Sequence, residues 1–208
     1  MLNQFENLLA FPSPPIDLLI DLKTLSSPQF SSMEVHSLLQ YFRKRNHKHY
    51  LIIKFLFSTG ASIPELTHFP VKNLNFDNEY LIINERKRLG YRKIFLEKEF
   101  TRELYRFCAD LNEGSLLFAG RKGQSRNVRS IQKILNTASQ FLGKEITIPT
   151  IRDFLAVALF EQSVSLRDIQ NFLGHRSQKS TKNRIFKPQI SGKDRMGHNF
   201  NDFQNKAA

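Results

Sequence analysis

Between Tyr50 and Gly60 the chain reads YLIIKFLFSTG, apolar nearly all round. A helix without a polar face cannot lie at a surface, so this run is expected to form a core helix, ended by Gly60 in a left-handed turn. The remaining segments must then supply faces to cover it. Ser31 or Ser32 is placed to cap a helix carrying Val35, Leu38, Leu39 and Phe42 on one side. From Arg126 to Phe141 the residues Val128, Ile131, Ile134, Leu135 and Ala138 follow helical period. Thr150–Phe160 repeats the pattern with Ile151, Phe154, Leu155, Ala158 and Leu159. Shorter helices are expected near Pro64–Thr67, from about Glu99 to Leu111, and over Leu166–Leu173, the last ended by Gly174. Strand-like runs at Tyr80–Ile83 and Arg92–Leu96 flank NERKRLGY, with Gly90 for the turn, and Leu116–Phe118 reads as a short buried segment. The predicted class is α+β, mostly helical, with one small β-hairpin sheet.

Residues 1–30 hold Pro12, Pro14, Pro15 and Pro28, leaving room for at most one short helix around Ile16–Leu22, and read as a tail or linker. Residues 31–187 form the expected domain, and 188–208 a polar C-terminal tail. A single cysteine, Cys108, excludes an intramolecular disulfide framework and a Cys-rich zinc site, and the six His are too dispersed for a local metal motif. Neither a metal nor another cofactor is expected. No apolar stretch reaches the ~18–20 residues of a membrane span, and MLNQFENLL has no basic start. A cytoplasmic protein without a membrane partner is the expectation. The 19 Phe fall largely at core period, as at Phe55, Phe57, Phe154 and Phe160, and read as packing.

Charge is uneven. Residues 1–120 hold 15 Lys+Arg against 13 Asp+Glu, whereas residues 121–208 hold 16 against 6. A one-sided cationic excess attracts polyanions, because each neutralised phosphate releases condensed counterions. It also occurs on plain solvated faces. The densest stretch, Arg121, Lys122, Arg126, Arg129 and Lys133, follows Gly120 and Gly123 and leads into a helix, an arrangement suited to phosphate contact.

The order helix, TGASIPEL, basic hairpin, LLF, basic helix, ITIPTIRDFLA, SLRDIQNFLGH resembles the catalytic domain of tyrosine recombinases, the phage-integrase and XerC/XerD-like family, over about Ser31 to Phe186. That resemblance implies an α+β domain with a three-stranded hairpin-type sheet that clamps duplex DNA together with a separate helical domain. It also implies a chemistry. A Tyr hydroxyl attacks a backbone phosphate, two Arg hold its non-bridging oxygens, a hairpin Lys protonates the leaving oxygen, and further His positions add hydrogen bonds.

Residue by residue, the match is incomplete. TGASIPEL puts Ser62 where the family has its first Arg, and ITIPTIRDF puts Pro149 at a family His while keeping Arg152. Serine cannot make a bidentate phosphate pair, and proline lacks any side-chain donor. Counting back from RKIFL places Lys87 at the hairpin Lys, between Arg86 and Arg88, and His175 follows LG as the family His does. The place of the nucleophile is Arg184. The five Tyr are Tyr41, Tyr50, Tyr80, Tyr91 and Tyr105, so no register shift in the C-terminal half restores a phenol. Ser180 and Thr181 are the nearby hydroxyls.

By resemblance, Lys87, Arg152 and His175 are the retained site positions, and Arg86, Lys87, Arg88, Arg121, Lys122, Arg126, Arg129, Lys133, Arg152 and Arg176 are the candidate DNA contacts. Arg152 also fits a structural hydrogen-bonding role, and His175 suits a helix C-terminus in any case. The primary expectation is a binder of double-stranded DNA, associated with recombination but unable to cleave, with a homo-oligomer or an intact recombinase as partner. Three other readings remain open: an active enzyme with a borrowed or non-standard nucleophile, a protein-interaction module, and an RNA binder.

Overall fold

The computed structural model describes residues 19–85 and 90–186. Eight helices and three strands are present among them. Helix α1 (Ser32–Arg45) starts at Ser31, which forms a reciprocal capping box with Glu34. Such a box satisfies two of the amide groups that every helix start leaves without partners. Helix α2 (His47–Thr59) is the predicted core helix, buried from Tyr50 through Thr59, and Gly60 closes it at φ 59°. A Cβ at Gly60 would sit 2.7 Å from Leu173 Cδ2, so the position needs glycine for its conformation and for space. Helix α1 packs along α2 on one side, and helix α6 (Ile148–Glu161) along another.

Helix α3 (Ile63–Thr67) follows Gly60 at once. An antiparallel sheet comes next, in the order β1 (Leu74–Asn75), β2 (Tyr80–Glu85), β3 (Gly90–Phe95). Register pairs Leu81 with Ile94 and Ile83 with Arg92. Strand side chains alternate between faces, so Leu81, Ile83, Arg92 and Ile94 share the inner one, and all four are buried. Arg92 is thus a cation at a core position. Helices α4 (Lys98–Cys108), α5 (Val128–Leu142) and α7 (Leu166–Leu173) lie close to where periodicity places them.

Two regions differ from expectation. From Ile20 onward the presumed linker is part of the body: Ile20, Leu22, Leu25 and Phe30 are core residues, and Leu19 bridges to Phe95. Residues 19–22 form a bridge and a turn rather than a helix. Prolines and serines in this segment break helices, but they do not prevent apolar side chains from docking from an irregular chain. Helix α8 (Gln178–Ile185) is absent from the sequence expectation because it buries only Thr181 and so has no apolar stripe. It packs against α6 and α7. The hairpin cations Arg86, Lys87 and Arg88, the start of the expected tail or linker (1–18) and the polar tail (188–208) lie outside the described residues.

Candidate functional site

A cavity of about 300 Å³ opens where α3, α6, α7 and α8 meet, lined by Ser62, Glu65, Pro149, Arg152, Gly174 and Arg184 among others. It is built from helix ends. Thr147 caps α6 in a reciprocal box with Thr150, and Pro149 occupies the first turn. Proline is tolerated there because its missing N–H would have no helical partner anyway. One turn along, Arg152 reaches across the domain. Its Nη1 donates to Gly60 O and its Nη2 to Leu173 O at 2.7 Å. These carbonyls belong to the C-terminal ends of α2 and α7, where orphan acceptors and the helix dipoles favour a cation. Arg152 therefore ties two helix ends together while facing the cavity. Burial, then repulsion from Arg92 and Arg184, pushes its pKa down to about 10.

His175 is placed by the left-handed Gly174, which turns the chain back so that His175 N–H reaches Gln170 O at 3.0 Å. The residue is 8 % exposed. Its Nε2 lies 3.1 Å from Arg184 Nε, and its Nδ1 lies 2.9 Å from Thr181 Oγ1. A guanidinium can only donate, so Nε2 must be the acceptor, and the ring proton sits on Nδ1 and points to Thr181. Burial, then the charges of Arg152, Arg184 and Arg92, pushes the imidazole pKa down to about 3. His175 is neutral at physiological pH.

Arg184, which the sequence reading puts at the place of the family nucleophile, is held from several sides. Besides His175 it donates to Pro149 O at 3.3 Å and pairs with Asp153. Its Nη2 has no partner among the described residues. Behind the cavity-lining Glu65, Arg92 makes a two-pronged pair with that carboxylate, at 2.7 and 3.1 Å. Glu65 also accepts from the backbone N–H and hydroxyl of Ser62, at 2.7 and 2.8 Å. Burial pushes the Glu65 carboxyl up, but Arg92 and Ser62 outweigh it, and the pKa ends below the usual carboxylate range. Among the groups named, three guanidiniums stand with two carboxylates and one neutral imidazole, an excess of one positive charge.

The alternative hydroxyls do not reach this cavity. Thr181 is fully buried against His175, and Ser180 Oγ pairs with Ser177 Oγ at 3.2 Å. None of the five tyrosines lines it. Tyr50 OH donates to Glu103 at 2.7 Å, Tyr41 stacks on Phe141, and Tyr105 meets Phe76 edge-on. Tyr91 and Arg92 are neighbours on β3 and point to opposite faces.

The basic cluster forms a second region. Arg121, Lys122, Arg129 and Lys133 are exposed, as is Arg176 at the end of α7. A groove of about 450 Å³ is lined by His49, Asn127, Arg129, Ser130, Lys133 and Thr137 with Ile134. Asn127 Oδ1 takes the Arg129 N–H at 2.8 Å, and Gly120 N–H is taken by Gln124 O at 2.7 Å. The loop and helix start, expected to offer backbone amides, spend these two internally and present side-chain cations. Arg126 differs from its neighbours: it bonds Phe118 O and Ser130 Oγ. Burial and the nearby Arg126 charge lower the pKa of Lys48 and of His49. The groove is a region of positive potential.

Sequence reasoning missed Arg92, Glu65 and Asp153. Arg92 was detectable: it is two residues from Ile94 and four from Leu96 in a strand, so alternation puts it on the apolar face, where a cation needs a buried partner. No stretch of sequence marks Asp153, whose partner Arg184 is 31 residues away. Among the described residues no cluster of three or more His, Cys, Asp or Glu could hold a metal, and no helix is long and apolar enough to cross a membrane.

Known proteins share this fold. The XerA tyrosine recombinase of Pyrococcus furiosus is 25 % identical over 152 residues, 71 % of this chain and 53 % of the relative. A crystal structure of XerA recombinase superposes with a TM-score of 0.67 at 18 % identity, covering 77 % of this chain and 60 % of the other. XerH site-specific recombinase bound to its difH substrate before cleavage gives 0.65 at 20 % identity, covering 76 % and 50 %. The chain spans about half the length of the XerA relative. The sequence profile described as the phage integrase family matches residues 29–186, the same span that carries the fold and the cavity, and the chain belongs to that family.

Proposed function

We propose that this chain binds the backbone of double-stranded DNA in the manner of a recombinase catalytic domain without cutting it. The reading rests on the sequence match that puts Arg184 at the place of the attacking phenol, and the observation that supports it is that Arg184 bonds His175, Pro149 O and Asp153. Removing the nucleophile abolishes a covalent route rather than slowing it. Ser62 and Pro149 remove two further groups, and each lost stabilising donor of this kind costs ~10²–10³ in rate. Binding survives these losses because it depends on cations. XerH is named as bound to its difH substrate, a precedent for the same fold on DNA.

Geometry supports one duplex reaching both regions. His49, near the start of α2, lines the groove, and Gly60, at its end, holds Arg152. At 1.5 Å per residue the two ends are about 16 Å apart. That is close to five base pairs at about 3.4 Å each. Retained Arg152 and His175, the exposed cations Arg121, Lys122, Arg129, Lys133 and Arg176, and the hairpin residues Arg86, Lys87 and Arg88 are the proposed contacts, with an intact recombinase or a second copy as the assembly partner. The test is a gel-shift series with duplex DNA over a salt range, paired with nicked suicide substrates that trap covalent adducts. Salt-sensitive retardation and no adduct are expected. A salt-stable adduct, alone or in the absence of any partner, overturns the reading, and so does a lack of retardation at low salt.

A further inference from the structure

We propose that Arg184 is a phosphate ligand, so that the cation missing at Ser62 has been replaced from the opposite side of the cavity and the place of the nucleophile has become half of a phosphate clamp. The proposal deepens the DNA-binding reading and rests on it for the identity of the polymer. It stands on four features of the site.

Arg152 and Arg184 line the same cavity, so two guanidiniums converge on it although the first family Arg is absent. Both are preorganised. Arg152 is fixed by Gly60 O and Leu173 O, and Arg184 by His175, Pro149 O and Asp153. A fixed fork loses little freedom when it meets an oxyanion. Arg184 keeps Nη2 without a partner among the described residues, and its side chain is 27 % exposed, so one edge is available to a ligand.

Charge count is the third feature. Glu65 matches Arg92 and Asp153 matches Arg184, whereas Arg152 meets only backbone carbonyls. A phosphodiester carries the single negative charge that this excess lacks. Burial first, and the neighbouring guanidiniums second, depress the pKa values of Arg152 and His175, which is consistent with that count. Fourth, His175 is held neutral with its proton on Nδ1, so it acts as an acceptor that orients Arg184 and adds no competing cation.

The ligand class is a tetrahedral oxyanion ester bearing one negative charge. Inorganic phosphate serves as the small probe and duplex DNA as the polymer. The measurement is 15N NMR of histidine-labelled full-length protein, with the His175 signals assigned through His175→Gln, during phosphate titration. The His175 Nε2 signal touches Arg184 and should shift in the wild type. Arg184→Gln should weaken phosphate affinity about ten- to a hundredfold, the usual worth of a charge-assisted hydrogen bond. It should also lower the slope of log affinity for duplex DNA against log salt by about 0.9, one phosphate contact. Arg184→Lys, which keeps charge but not the fork, should fall between.

Asp153→Asn guards against an unfolded Arg184 variant. It removes a carboxylate beside both guanidiniums and should strengthen phosphate binding severalfold; the gain should shrink when Arg184→Gln is combined with it, and an equal gain with and without Arg184 counts against the clamp. Equal phosphate affinity and equal salt slope in wild type and Arg184→Gln overturn the proposal and leave the DNA reading intact. A phosphate response without DNA binding overturns the DNA reading and leaves the clamp. Absence of both removes both.

Discussion

The two ends of helix α2 hold cations in opposite ways. At the end near Gly60, Arg92, Arg152 and Arg184 are wholly or largely enclosed, and each is fixed by named acceptors. At the end near His49, Arg121, Lys122, Arg129 and Lys133 stand in solvent. Enclosed guanidiniums have a low-dielectric surrounding and a fixed geometry, so they can recognise one phosphate in one orientation. Exposed cations are screened and mobile, so they add affinity that depends on salt and little else. On the proposed reading, the reaction is lost at one end while attraction to a polyanion persists at the other.

This contrast can be broken by removing charges at each end. The largest effect is expected at Arg92. Replacing it with alanine leaves Glu65 buried without its partner, which costs about 3–5 kcal/mol. Chemical denaturation should show that loss. A change under about 1 kcal/mol would mean that the pair is solvated and that the enclosed end resembles the exposed one.

The next effect is a pH dependence from His175. Its folded pKa is pushed down to about 3, below the ordinary value of 6.5. The unfolded chain therefore takes up a proton that the folded chain refuses. The contribution of the neutral ring is fully present above pH ~6.5 and is lost progressively as the pH falls toward 3. From pH 6.5 to 5 the loss approaches about 2 kcal/mol, at ~1.36 kcal/mol per unit. The stability gap between wild type and His175→Gln should narrow over that range, and a constant gap would show that His175 accepts a proton in place.

Smallest in stability are the exposed cations. Arg129→Ala and Lys133→Ala should each change folding by less than about 0.5 kcal/mol. Each should lower the salt slope for duplex DNA by about 0.9 if it meets a phosphate. Salt slopes that are unmoved by both changes would remove the α5 face from the interface.

Much of the fold was legible because burial leaves a period. The stripe of α5 and the continuous apolar run of α2 each require a particular neighbour, and the glycines at 60 and 174 mark the ends of their helices. Segments held by other means left no such mark. Residues 20–30 dock as an irregular strap with a turn at 22–24, and α8 is anchored by Thr181 on His175, by Arg184 on Asp153 and by Phe186 against Phe160. A polar anchor has no periodicity, so it is invisible until its partner is located.

Within the site, sequence by itself determined which groups are available. It has Arg and not Tyr at 184, Ser and not Arg at 62, and Pro at 149, and no folding can change that chemistry. Only the tertiary structure decided what the available groups do. It brought Asp153 and Pro149 O to Arg184, Gly60 O and Leu173 O to Arg152, and Glu65 to Arg92 across 21 to 92 residues of chain. The physical reason is that charge and hydrogen-bonding capacity belong to a residue, whereas the field and the partners that set its protonation and orientation belong to whatever the fold places within a few ångströms.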